Sequence, residues 1–119
     1  MGDDTTNCIF CKIIKKEIPA ETLQESNDIV IIRDIRPSAP IHYLALPKRH
    51  ISSICDITHD DEMLLGHLVY MAKGAAEKLN LSGYKLIFNV GKDGGQIINH
   101  IHLHLLGGWQ SGEHKALNV

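Results

Sequence analysis

Eight residues near the end of the chain constrain its fold most. Residues 99–106, NHIHLHLL, alternate polar and apolar side chains strictly from His100 to Leu105. Period two marks a β-strand with one buried face. On such a strand Ile101, Leu103 and Leu105 point into a core. His100, His102 and His104 then share the other face, ~6.6 Å apart in successive steps. One histidine in such a place is usually a satisfied polar residue. Three in register point to chemistry: several can ligate a metal, or one can act as a nucleophile, since neutral imidazole is nucleophilic near neutral pH. The loop just upstream, GKDGGQ over residues 91–96, favours the nucleophile. Gly94 and Gly95 can present backbone N–H groups to an anion, and Gln96 adds an amide. A nucleophile beside an anion cradle suggests phosphoryl chemistry.

The rest of the chain supplies the scaffold. Residues 8–18 carry Ile9, Phe10, Ile13 and Ile14 at helical spacing, and Pro19 stops that helix. Residues 21–25 form a short strand. Residues 28–34 (DIVIIRD) and 42–46 (HYLAL) form two more, with Pro37 and Pro40 bracketing the loop between them and Pro47 closing the second. Residues 51–57 are irregular or a helical turn. Thr58 caps the one long helix, with Asp60 and Asp61 in its first turn. Leu64, Leu65, Leu68, Ala72, Ala75, Ala76 and Leu79 form its core stripe, and it ends near Gly83. A second stripe, Met63, His67, Tyr70 and Gly74, is left to solvent or to a partner helix. Residues 84–90 complete the strands. The fold expected is α+β, a mostly antiparallel five-stranded sheet with one long helix and a short N-terminal helix. Residues 8–119 are expected to form a single domain and residues 1–7 a flexible leader.

Composition excludes several functions. Twelve basic and 14 acidic residues give a net charge of −2, so no basic excess exists to neutralise nucleic-acid phosphates. No apolar run approaches the ~20 residues of a membrane span, and the polar, acidic start does not read as an export signal. Gly2 and Thr6 match a myristoylation pattern, but no polybasic segment follows to strengthen membrane attachment. A cytoplasmic protein is expected. Its three cysteines include the pair Cys8-x-x-Cys11. By themselves these admit three readings: a redox pair, which lacks its βαβ context; two buried free thiols; or half of a zinc site that needs two more ligands.

The histidine strand, HIHLHLL over residues 100–106, resembles the signature of the histidine triad superfamily. The segments CIFCKIIKKEIP, Asp34-Ile35 followed by Pro37, Pro40-Ile41-His42, Pro47-Lys48-Arg49-His50 and NVGKDGGQ fall in the order that family shows. The likeness covers roughly residues 8–109. Gly107-Gly108 and the short tail look like its Hint branch of nucleoside phosphoramidases rather than its dinucleotide hydrolases.

The resemblance implies hydrolysis of purine nucleoside phosphoramidates and acyl-nucleotides, with release of AMP or GMP. His102 would be the nucleophile, His104 would bind phosphate oxygens, and His42 would orient the triad. Asn89, Gly95 and Gln96 match phosphate contacts, Asp34 a ribose contact, and Ile9, Phe10, Ile35 and Leu44 the apolar wall around the base. Cys8, Cys11, His50 and His100 match the ligands of a structural zinc ion found in some members. The family also implies a homodimer. One position departs from its pattern: Ile97 stands where Ser or Thr usually follows Gly-Gln. The alternatives are a dinucleoside polyphosphate hydrolase and a nucleotide-binding or scaffold protein with little activity. Cys55 receives no role, and His59, His67 and His114 are expected at the surface.

Overall fold

The run Ile29–Val30–Ile31–Ile32 is buried along its whole length, and it divides the molecule into two layers. In the computed structural model, which describes residues 5–110, these residues lie in strand β2 (Ile29–Arg33). The other strands are β1 (Thr22–Glu25), β3 (Ile41–Pro47), β4 (Tyr84–Ile87) and β5 (Leu103–Gly107). They form one antiparallel sheet in the order β1-β2-β3-β5-β4. Side chains alternate across a strand, so Ile29 and Ile31 face one way and Val30 and Ile32 the other. The first face, with Ala45, Ile101, Leu103 and Leu105, packs on helix α2 (Glu62–Lys78) through Leu68, Met71, Ala72, Ala75 and Ala76. The second face, with Leu44 and Leu46, packs on helix α1 (Ile9–Ile14) through Phe10 and Cys11. The expected α+β class and five-stranded sheet are the ones found.

Several boundaries differ from the expected ones. Helix α1 ends at Ile14, well before Pro19. Lys16 adopts a left-handed φ of 67°, while the Lys16 and Glu17 N–H groups bond back to Ile13 and Lys12 carbonyls. That satisfies the last carbonyls without proline. Helix α2 stops the same way at Asn80 (φ 60°), three residues before Gly83. Asparagine tolerates this conformation better than most residues. Thr58 caps a 3-10 turn, His59–Asp61, rather than α2 itself: its N–H is held by Asp61 Oδ2 at 2.9 Å in a capping box, and α2 follows directly from Glu62. Met71 joins the core stripe, which the sequence reading left out.

The histidine strand is shorter than its alternation suggests. The ladder begins at Leu103, opposite Ala45. Residues 98–102 bond elsewhere: Ile101 N–H donates to Ile51 O at 2.8 Å and His100 N–H to Ile98 O at 2.9 Å. The alternation of faces survives this, with Ile101 in the α2 core and His100 and His102 on the α1 side. Thr5–Asn7 form a 3-10 turn, and Gly2 and His114 lie outside the described residues.

Candidate active site and metal centre

Strand β5 lies inside the sheet, between β3 and β4, and this brings the histidines to β3. His42 stands diagonally across from His104, because His42 pairs with Leu106 and Leu44 with His104. Diagonal side chains of this size can touch. His42 Nε2 and His104 Nδ1 are 2.9 Å apart.

Hydrogen bonds assign the protons. The Ser38 N–H donates to His42 Nδ1 at 2.9 Å. His42 therefore carries its proton on Nε2 and donates it to His104 Nδ1. His104 in turn holds its own proton on Nε2. Asp34 Oδ2 lies 3.4 Å from His42 Nε2, and its Oδ1 accepts the Arg36 N–H at 2.8 Å. Asp34, His42 and His104 also form a group with metal-ligand spacing. The Ser38 bond argues against a metal there, because it puts a proton on the His42 nitrogen that would have to ligate.

His102 is fixed differently. Its Nδ1–H donates to the His100 carbonyl at 2.7 Å, which leaves the Nε2 lone pair free. Phe10 and His104 flank its ring at centroid distances of 5.1 and 5.0 Å. Burial pushes all three rings below the usual histidine range. His104 falls to about 4, with the neighbouring His102 and His42 adding to burial. A neutral ring at position 102 is the form a nucleophile requires.

These side chains open onto a cavity of about 610 Å³, within the usual range for small-molecule sites. Ile9, Phe10, Ile35 and Leu44 form its apolar wall, as expected, and Ile13 and Ile98 extend it. Asp34, Asn89 and Gly95 also face it.

Two expectations change. Gln96 does not line the cavity: its Oε1 accepts the Gly91 N–H, and its Nε2 donates to Ser52 O and Ile98 O. The side chain braces the loop. The N–H groups of Gly94, Gly95 and Gln96 are also taken up inside the turn, by Gly91 O and Lys92 O. Next to this turn on the cavity wall, the Ile97 and Ile98 N–H groups donate to no other described residue, although the Ile98 carbonyl accepts from Gln96 and His100. The Ser38 amide was missed as well, and a backbone donor leaves no mark in side-chain identity.

Behind His102 the chain gathers Cys8, Cys11, His50 and His100. One ligand atom from each lies within 4.8 Å of all the others. The separations are 3.4 Å from Cys8 Sγ to His100 Nδ1, 3.2 Å from Cys11 Sγ to His50 Nδ1, 3.6 Å from Cys11 Sγ to His100 Nδ1, and 3.1 Å between the two Nδ1 atoms. A tetrahedral zinc shell with these donors has edges of ~3.3–3.8 Å; the two longer separations fall in that range and the two shorter lie just under it, so a small outward shift of the side chains would seat such an ion. His100 Nε2 bonds to Pro47 O at 2.8 Å, which leaves its Nδ1 unprotonated and aimed into the cluster.

A family model described as the C-terminal binding region of the scavenger mRNA decapping enzyme matches residues 7–116. Protein HitA of Neisseria gonorrhoeae is 42% identical over 102 residues, covering 85% of this chain and 95% of that protein. A HIT family hydrolase from Legionella pneumophila is 50% identical, with a TM-score of 0.86 over 90% of this chain and 97% of that one. The chain belongs to the histidine triad superfamily. A zinc-bound histidine triad protein from Mycobacterium smegmatis, 27% identical, superposes with a TM-score of 0.81 over 95% of this chain and 83% of that one.

The buried triad carries a pH prediction. In the unfolded chain His104 titrates near 6.5, and in the folded protein near 4. Between these values the unfolded state binds more protons, so stability rises with pH. The His104 contribution is complete above 6.5 and is lost as pH falls towards 4. Thermal unfolding of wild type and His104→Gln across this range checks it. Curves that fall in parallel defeat the assignment.

Proposed function

We propose that this histidine triad protein hydrolyses purine nucleoside phosphoramidates and acyl-nucleotides through a nucleotidyl-His102 intermediate, releasing AMP or GMP. The observation that carries the reading is His102 itself. Its Nδ1–H is tied to the His100 carbonyl, its Nε2 is left free, and its ring lines a cavity whose wall carries both apolar and polar side chains.

The base would lie against Ile9, Phe10, Ile35 and Leu44, with the ribose hydroxyls at Asp34. That carboxylate has lone pairs beyond those used by Arg36 and His42. The His104 Nε2–H and the free N–H groups of Ile97 and Ile98 would hold the phosphoryl oxygens, with Asn89 steadying the loop through Gly94 O. His102 Nε2 attacks phosphorus, the bond to the leaving group breaks, and a nucleotidyl-histidine remains. Water then attacks phosphorus, the P–N bond to His102 breaks, and the nucleotide leaves. One hard displacement becomes two easier ones. Rapid-quench intact mass and peptide mapping after mixing with an adenosine phosphoramidate or an acyl-adenylate should find the adenylyl group on His102. AMP release with no adduct on any histidine defeats this mechanism.

Cys8, Cys11, His50 and His100 would hold structural zinc. A filled four-ligand shell supplies rigidity and no open position for water. The reading also includes a homodimer, placed in the cytoplasm. Met63 and Tyr70 stand exposed on α2, and β4 is an edge strand with one neighbour. Both are surfaces that a second copy would cover. Sedimentation should give twice the chain mass, and Tyr70→Glu should give monomer. A monomeric wild type at high concentration removes the dimer from this account.

A further inference from the structure

The cavity offers a nucleophile and several hydrogen-bond donors, yet among the described residues no group on its wall is placed to act as an acid. The Ser38 N–H is the reason. It donates to His42 Nδ1, so His42 Nε2–H must donate to His104 Nδ1. A second proton on His42 would set its Nδ1–H against the Ser38 N–H. A second proton on His104 would set its Nδ1–H against His42 Nε2–H. A backbone amide cannot rotate away as a hydroxyl can. Burial of both rings acts in the same direction.

The other polar groups on the wall do not make up the lack. Arg33 and Arg36 keep their protons at any working pH. The Asn89 amide and the Ser38 hydroxyl are donors but not acids in that range. Asp34 accepts from Arg36 N–H and faces the His42 N–H as a carboxylate. Ile97, 91% exposed on the cavity wall, has no side-chain donor.

We propose that a leaving group receives no proton in this cavity, and that the chain therefore selects nucleotides whose leaving group departs as a weakly basic oxyanion, a carboxylate above all, over phosphoramidates. This rests on the nucleotidyl-His102 reading and narrows it. With an acyl-adenylate, His102 Nε2 attacks phosphorus and the P–O bond to the acyl group breaks. The carboxylate leaves with the electron pair and needs no proton. Water then releases AMP, and one proton goes to solvent. With a phosphoramidate the amine nitrogen must gain a proton as P–N breaks, and no described residue of the wall supplies it, so it comes from water. The Ser38 amide is a positioning group in this scheme, and Ile97 is the specificity position.

Aryl esters of AMP test this, because their phenoxide leaving groups span several pKa units on one nucleotide. In the wild type, kcat/KM should fall roughly tenfold for each unit rise in leaving-group pKa, as expected without acid assistance. Ile97→Ser, which returns a hydroxyl to the wall, should raise phosphoramidate turnover relative to acyl-adenylate turnover by up to about tenfold, the worth of one hydrogen bond. Nitrogen-15 spectra near neutral pH should show His42 and His104 as neutral rings protonated at Nε2. A wild-type slope near zero with adenylyl-His102 still formed, or a cationic ring at either position, overturns the inference and leaves the hydrolase reading standing. Absence of AMP from every ester overturns the hydrolase reading, and this inference with it.

Discussion

His102→Ala lowers kcat/KM for AMP release on the order of 10⁴-fold or more, the scale seen when a covalent nucleophile is removed. The size follows from what the ring does. Among the described residues lining the cavity, it alone has one ring nitrogen tied to a backbone carbonyl and the other left with a free lone pair. His104 and His42 use their facing nitrogens on each other. His104→Gln is expected to cost less, roughly 10²-fold, because it removes one donor to the phosphoryl group and keeps the nucleophile. The His102→Ala protein should still bind AMP, since the apolar wall and Asp34 are untouched. Its melting temperature should stay within a few degrees of wild type, because the truncated ring borders an open cavity. Wild-type turnover by His102→Ala would sink the covalent mechanism outright.

Loss of one cysteine of the cluster is the second large effect. Cys8→Ser or Cys11→Ser removes a ligand from a site whose other cysteine and His100 are buried. Breaking such a buried polar cluster costs about 3–5 kcal/mol, which for a domain of this size lowers the melting temperature by roughly 10–20 °C. The wild type should carry one zinc ion per chain by elemental analysis, and a strong chelator should reproduce the variants' loss of stability. Activity should fall too. The carbonyl that fixes His102 belongs to His100, and the Phe10 ring against His102 lies between Cys8 and Cys11. Metal-free protein that melts with the wild type would remove the metal from this account. Should a cysteine variant fail to fold, the chelator titration of wild-type protein still decides the matter.

The faces of the fold were legible because they depend on side-chain periodicity. Residues 28–34 announced a strand through their Ile and Val content, and residues 99–106 announced which histidines share a face. Cys8, Cys11, His50 and His100, the ligands that the resemblance implied, lie together in the fold. What was missed depends on the backbone. Helix α1 ends through a left-handed lysine and α2 through a left-handed asparagine, where proline and glycine were the expected signals. The histidine ladder starts late because residues 98–102 bond to one another and to Ile51. Gln96 and the glycine N–H groups were assigned to an anion by residue type alone. In the fold they close their own turn, and Ser38 orders the histidines through an atom every residue but proline has.

Strand β5 is the last strand among the described residues, and the sheet places it between β3 and β4. Among the described residues β4 pairs with no strand but β5. During synthesis, then, β4 emerges with nothing to pair with, and one edge of β3 stays open until residue 107 has been made. Cys8 likewise waits for a partner 92 positions away. Contacts so distant in sequence form slowly, and open strand edges invite aggregation while they last. A nascent chain halted just before Leu103 should therefore depend on chaperones far more than the finished one, and translation through the final strand is the step that closes the sheet and completes the site together.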